Sequence, residues 1–394
     1  MRTVLVTGPG GAGRTTVAAA TAQAAARGGA RALLLSADPL DALLGRPVGP
    51  APTAIADGFW AAGIDSGEHF RTELLGLQER LATGLDLLGA RPLADEEITE
   101  LPGSGQFALL HALRRAAEGD WDVVVVDLPP LREALAVLAL PEQLRRYLRR
   151  LVPKERQAAR ALRPLMAQLA GIPMPAHWLY EAAARWDEGL AAVQTLIEAP
   201  GTTVRLVAEP GPAAAEALRS ARTGLGLFGL RADTLVPNRV LPGDDTGPWL
   251  ATLVAQQRKC LEEWYEEYGA DGAVREAAHL GRDPRGPDDL ARLGVAPPAE
   301  PAPGALPGAA EWTVEDRLSE EKLLVWHVPL PGAVKSDLGL VRRDDELLLT
   351  VGAFRRIVPL PSALRRCTVT GAGLTDGVLR VRFAPDPALW PRTP

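Results

Sequence analysis

The segment Gly8-Pro9-Gly10-Gly11-Ala12-Gly13-Arg14-Thr15-Thr16 constrains this chain most. An apolar β run, Thr3–Thr7, leads into it, and the Ala-rich stretch Thr15–Arg27, a strong helix former, leads out of it. A glycine-rich turn between a buried strand and a helix lets the backbone curl until its N–H groups point inward at phosphate oxygens. The helix start adds its positive end. Gly8 and Gly13 have the spacing of G-x-x-x-x-G-K-[ST], with Arg14 where the Lys is usual and Thr15 at the hydroxyl position that ligates Mg²⁺. Gly8, Gly10, Gly11, Ala12, Gly13, Arg14, Thr15 and Thr16 are therefore the candidate nucleotide cradle.

Beyond this loop the chain has the rhythm of an α/β fold. Ala32–Leu35 and Trp121–Val126 read as buried strands, with the helix Phe107–Ala117 between them. Thr203–Val207 and Thr234–Pro237 flank the helix Ala213–Leu225, and Leu250–Tyr268 is a further helix. Apolar strands alternating with helices imply a mostly parallel sheet covered on both faces. Residues 51–100 read as mixed and helical in places, and 131–200 as mostly helical with breaks at Pro153, Pro164, Pro173 and Pro175. In such sheets ligands gather at the C-terminal ends of strands. Asp38, in Ser36-Ala37-Asp38-Pro39, and Asp127 both sit at such ends. Each carboxylate suits Mg²⁺ or an attacking water, and each alone also suits a turn or a helix cap.

Composition narrows the class. The formal charge of −6 disfavours non-specific nucleic-acid binding. Lys is scarce (Lys154, Lys259, Lys322, Lys335), and the Arg excess accompanies abundant Ala, Gly and Pro, which reads as codon bias rather than an RNA signal. Cys260 and Cys367 form no C-x-x-C pair, and a reducing, cytoplasmic setting is expected. The start lacks a signal-peptide pattern and no 18-residue apolar run occurs, so no integral membrane segment is expected. His69, His111, His177, His279 and His327 are scattered without ligand spacing.

These motifs together resemble the deviant P-loop ATPases of the arsenite-pump and tail-anchored-protein-targeting family (ArsA type). Gly8–Thr15 lines up with that family's G-K-G-G-x-G-K-T. Ser36, Asp38 and Pro39 match its first switch, S-x-D-P-A-H-S. Asp127, Pro130, Leu135, Leu138, Leu140 and Pro141 match its second, and Val236–Pro242 resembles V-x-N-R-V-L-P. The resemblance implies ATP and Mg²⁺ as cofactors. It also implies a homodimer, or a heterodimer with an ArsA-type paralogue, and a protein client. It gives Asp38 and Arg14 catalytic roles, Asp38 polarising the attacking water. Thr15 and Asp127 would hold Mg²⁺, Asn238 would read the adenine, and Arg239 would also lie at the nucleotide.

Departures from the pattern cluster at the chemistry. Pro9 replaces the Lys that reaches a partner's nucleotide, Arg14 replaces the loop Lys, and residues 1–150 contain no Lys. A lost ammonium weakens hydrolysis more than phosphate binding by backbone amides, since such charge is often worth about 10²–10³ in rate. Three functional readings stay open: a slow Mg-dependent ATPase coupled to a client or partner, a catalytically silent subunit or chaperone-like adaptor paired with an intact paralogue, and a protein-interaction scaffold whose glycine-rich turn binds no nucleotide. The absence of Cys clusters argues against arsenite transport. Leu162, Leu165, Met166, Leu169, Ile172, Met174, Trp178, Leu179 and Trp186 suit either the core of a helical insert or a groove for an apolar client helix.

The chain then changes character. Pro297, Pro298, Pro301, Pro303 and Pro307 mark an extended, poorly packed linker. The strands Leu323–Val328, Leu338–Arg342, Glu346–Val351, Phe354–Val358, Cys367–Thr370 and Val378–Phe383 fit a β-sandwich. Val328–Gly332, Asp345–Gly352, Arg355–Pro361 and Asp376–Phe383 resemble a small heat-shock (α-crystallin type) domain, with a generic interaction sandwich as the alternative. The expected architecture is an α/β P-loop NTPase over 1–292 with a helical insertion near 143–200, a linker at 293–310, and an all-β sandwich over 311–394.

Overall fold

A computed structural model describes residues 1–87, 91–152, 177–243, 247–269, 273–298 and 312–390. Seven strands form the first sheet: β1 (Arg2–Thr7), β2 (Ala32–Ser36), β3 (Thr53–Ala56), β4 (Phe59–Gly63), β5 (Val123–Asp127), β6 (Thr202–Ala208) and β7 (Ala232–Pro237). Their order is β3-β4-β2-β5-β1-β6-β7, and every neighbour is parallel except β3 with β4. The central strands are buried along their whole length, as a sheet covered on both faces requires. Strands β3 and β4 lie in the stretch that reads as mixed and helical. They are short, and Ala, Gly and Trp in β4 carry little of the β-branched signature that marks β5.

Helix α1 (Arg14–Arg27) and the short α2 (Asp41–Leu44) follow the first two strands. Next come α3 (Ser66–Leu87), α4 (Ser104–Ala117), α5 (Leu131–Leu151), α6 (His177–Glu198), α7 (Pro212–Phe228), α8 (Pro248–Tyr268) and α9 (Gly286–Arg292). One sheet face packs on α1 and α9, where Val17, Ala18, Ala22 and Leu290 join Val4, Val6 and Val125. Small side chains on α1 let its backbone lie close to the strands. The other face is covered by α4, α5 and α7, through Leu110, Leu113, Leu135 and Leu225.

A charge interrupts strand β6. Arg205 is fully buried, with its guanidinium 2.8 Å from Asp233 of β7. It also donates to Thr21 of α1 (3.0 Å) and to the Ala296 carbonyl (2.7 Å). Val295 is buried in the same core, so the start of the Pro-rich segment is packed against α1's face rather than loose. Residues 299–311, most of the expected linker, lie outside the described residues.

The C-terminal strands are β8 (Thr313–Arg317), β9 (Leu323–Pro329), β10 (Leu338–Arg343), β11 (Glu346–Val351), β12 (Phe354–Pro359), β13 (Cys367–Thr375) and β14 (Val378–Pro385). They form two antiparallel sheets, β10-β11-β12 and β13-β14-β9-β8. Burial alternates along β11, and Asp376-Gly377, both at positive φ, make the two-residue turn into β14. Strand β8 is absent from the sequence expectation, because four of its five residues are polar or charged and none is deeply buried. One apolar core runs without interruption from α5 and α7 into this sandwich.

Among the described residues no helix is long and apolar enough to cross a membrane. Cys260 and Cys367 are both free and buried. Leu162 to Met174 lie outside the described residues, as do the side chains of Trp178 and Leu179, while Trp186 is 54% exposed and meets Phe107 edge-on.

Candidate functional site

The loop between β1 and α1 is held tightly from beneath. Gly8 lies so close to β6 that a Cβ there would stand 1.8 Å from the Val207 carbonyl oxygen. Gly13, at φ +82°, turns the chain into α1. The first α1 bond runs from the Val17 N–H to the Gly13 carbonyl, 3.0 Å. The amides of Gly13, Arg14, Thr15 and Thr16 therefore have no partner within the helix and open onto the loop. Gly10 and Gly11 are exposed at the rim, and Ala12 is buried.

Asn238 braces the loop from the β7 side. It is buried, and its Nδ2 donates to the Ala12 carbonyl at 2.8 Å. Arg239, at φ +57°, spans Glu209 (3.1 Å) and the Gly11 carbonyl (3.3 Å). Asn238, expected at the adenine, and Arg239, expected at the nucleotide, thus both contact the phosphate loop itself. Gln257 of α8 fixes the Arg239–Leu241 turn, donating to the Arg239 carbonyl and accepting from the Leu241 N–H. Sequence reasoning missed Gln257, although a Gln on the stripe that carries Val254, Leu261 and Trp264 was a visible signal.

The strand ends bring the acidic residues together. The Thr15 hydroxyl donates to Asp38 Oδ2 at 3.1 Å. Ser36 donates to Asp127 Oδ2 at 2.8 Å and also accepts from the Asp38 amide at 3.0 Å. Asp127 is buried, and its Oδ1 has no hydrogen-bond partner. Its carboxyl is pushed up to about 6, first by burial; the nearby Thr15 and Ser36 hydroxyls and the charge of Arg14 pull it down, and Asp38 pushes it up. Arg14 donates to the Leu128 carbonyl, in the turn that leads from Asp127 into α5. Thr7 donates to the Pro129 carbonyl at 2.8 Å and the Leu131 amide to the Gly8 carbonyl at 3.1 Å, so this turn is stitched onto the loop.

These residues fit a magnesium ion. A buried carboxylate oxygen without a partner beside a threonine hydroxyl is a half-made ligand set. Mg²⁺ completes such sets with phosphate oxygens and water rather than with an all-protein cage. Among the described residues no group of three or more His, Cys, Asp or Glu is placed to hold a metal by itself. His69 and His111 do meet, contrary to the scattered reading. Their rings are 4.6 Å apart in a cavity of about 450 Å³ between α3, α4 and the sheet, where burial holds His111 below its usual range.

Residues 1–295 match the family model described as anion-transporting ATPase (ArsA). The chain belongs to the ArsA ATPase family. Residues 321–383 match the HSP20-like domain found in ArsA. An uncharacterized protein of Streptomyces coelicolor is 59% identical over the full length of both chains. A Mycobacterium tuberculosis protein is 30% identical, covering 99% of this chain and 97% of its own. A putative arsenical pump-driving ATPase of Aquifex aeolicus is 26% identical, covering 93% and 95% respectively. The sequence resemblance to the ArsA type and to a small heat-shock sandwich therefore holds, as does the fold class.

Proposed function

We propose that this ArsA-family chain binds Mg-ATP at the Gly8–Thr16 loop and hydrolyses it slowly, coupling nucleotide state to a protein client or partner subunit. The observation that carries this reading is the meeting of Thr15, in the first turn of α1, with Asp38 and Asp127 at the ends of the adjacent strands β2 and β5, with Asp127 Oδ1 left without a partner. In this reading the amides of Gly13–Thr16 receive the phosphates, and Thr15 and Asp127 hold the ion. The ion, once bound, would neutralise charge on the β- and γ-phosphate oxygens. Asp38, exposed at the rim, orients the attacking water. Arg14 provides the positive charge of the absent Lys.

A silent subunit is the second reading, and one contact favours it. Arg14 is engaged by the Leu128 carbonyl, and Pro9 brings no cation to the rim. A planar guanidinium also replaces a compact ammonium poorly between phosphates. An intact paralogue would then supply the missing charge.

Steady-state phosphate release by the full-length chain, beside Asp38→Asn, separates the two. Magnesium-dependent turnover that Asp38→Asn abolishes supports the ATPase. Equal rates in both proteins, with Mg-ATP bound, support the silent subunit.

A further inference from the structure

Helix α5 touches two distant parts of the molecule. Its first turn is stitched to the phosphate loop through Leu131, and the turn before it carries the carbonyls that receive Thr7 and Arg14. Its second half is stitched to the sandwich. Arg146 holds Glu346 of β11 with a two-pronged contact, 2.7 Å on each side, and Glu142 accepts from Arg356 of β12 at 3.1 and 3.4 Å. Arg356 also donates to the Leu227 carbonyl at the end of α7, 2.9 Å. Phe354 fits against α7 at Gly224, where an added Cβ would come within 3.1 Å of its ring. These ion pairs are less than a third exposed, and the paired geometry is the strong kind. Pro141 lies between the two halves of α5; it has no N–H to give and is the natural bending point.

We propose that the docked sandwich acts as a brake on the phosphate loop: by gripping α5 it holds the Leu128 carbonyl against Arg14 and favours a site paired with itself. The inference rests on the nucleotide-binding reading above. Arg14 is bound to Leu128 and Thr15 to Asp38. A phosphate and its ion need those same groups, so their arrival breaks these contacts and removes one of the three bonds that tie the turn before α5 to the loop. Releasing the sandwich lets α5 follow. By linkage, whatever factor the docked sandwich costs nucleotide affinity, bound nucleotide costs docking.

The test uses the full-length chain with Glu346→Arg, which sets a guanidinium against Arg146 with Arg149 and Arg150 nearby. The reversed pair Arg146→Glu/Glu346→Arg restores attraction. Calorimetry reads the Kd of a non-hydrolysable Mg-ATP analogue, and amide hydrogen exchange along β11 and β12 reads docking. Glu346→Arg is expected to exchange faster there and to bind the analogue at least about fivefold more tightly, with the reversed pair returning both to wild-type values. In the wild type the analogue itself should speed exchange in β11 and β12. Faster exchange with an unchanged Kd would overturn the brake while leaving nucleotide binding intact. Absence of binding in every variant would remove the nucleotide reading and the brake together. Should Glu346→Arg fail to fold, Glu142→Gln loosens only the second ion pair and is read in the same way, with the same two outcomes.

Discussion

Asp127 offers a prediction with an unusual sign. Its carboxyl titrates near 6 in the folded chain against an ordinary 3.8, chiefly because burial strips the carboxylate of water. Between those values the folded protein keeps a proton that the unfolded chain has released. The group's contribution to stability is therefore intact below about pH 3.8 and is lost as pH rises through about 6. Above that, the buried charge costs the metal-free protein about 3 kcal/mol, an order-of-magnitude figure from the gap between the two values. Asp127→Asn removes the charge and keeps an oxygen for the Ser36 hydroxyl. Without nucleotide at pH 7.5, the variant should be more stable than wild type by about 2–3 kcal/mol, an advantage falling to about half by pH 5. It should also lose the extra stability that Mg²⁺ adds in the presence of an ATP analogue. Urea unfolding in EDTA at both pH values, then with the Mg-analogue, measures both effects. A less stable Asn variant at pH 7.5, or one that keeps the full magnesium-dependent gain, would refute the argument that Asp127 is an ion ligand held at a desolvation cost.

Other predictions rest on single contacts. Gly8→Ala places a methyl 1.8 Å from the Val207 carbonyl oxygen, a backbone atom that cannot swing aside. The loop must retreat, at about 1–3 kcal/mol of stability and with most nucleotide affinity, read by thermal unfolding with and without Mg-ATP. Asp233→Ala leaves the fully buried Arg205 guanidinium without its carboxylate. It should cost about 3–5 kcal/mol in chemical denaturation, where a loss under 1 kcal/mol would show the pair to be dispensable. Asp38→Asn should bind Mg-ATP yet release no phosphate, since Asp38 sits at the exposed rim rather than beneath the loop.

Much of this was legible in the residues, for reasons that differ by element. β1, β2 and β5 announce themselves as apolar runs ending in Gly8, Asp38 and Asp127, so three strand ends could be placed before any geometry was known. The sandwich strands β9 to β14 were legible from alternation and from turns such as Asp376-Gly377. β3 and β4 were not, because strands of four and five residues with two Ala each are too short and too weakly apolar to show a period. Nor was the helix α5 legible as one element linking two domains, since its partners Glu346 and Arg356 lie some 200 residues away (|i−j| 200 and 214) and only packing brings them together. The same holds for Arg205: a charged residue in a buried strand is intelligible only with Asp233 beside it. Local pattern marked the loop's residues. It marked Asn238 too, but neither that residue's bond to the Ala12 carbonyl beneath the loop nor Arg14's grip on Leu128, which depend on contacts across the sheet.

The most direct test is a calorimetric titration of the full-length chain with a non-hydrolysable ATP analogue, with and without Mg²⁺. The account predicts saturable binding, one nucleotide per chain, that weakens when magnesium is withheld and is lost in Gly8→Ala. No binding at millimolar analogue with magnesium present, by a chain that unfolds cooperatively, would contradict it.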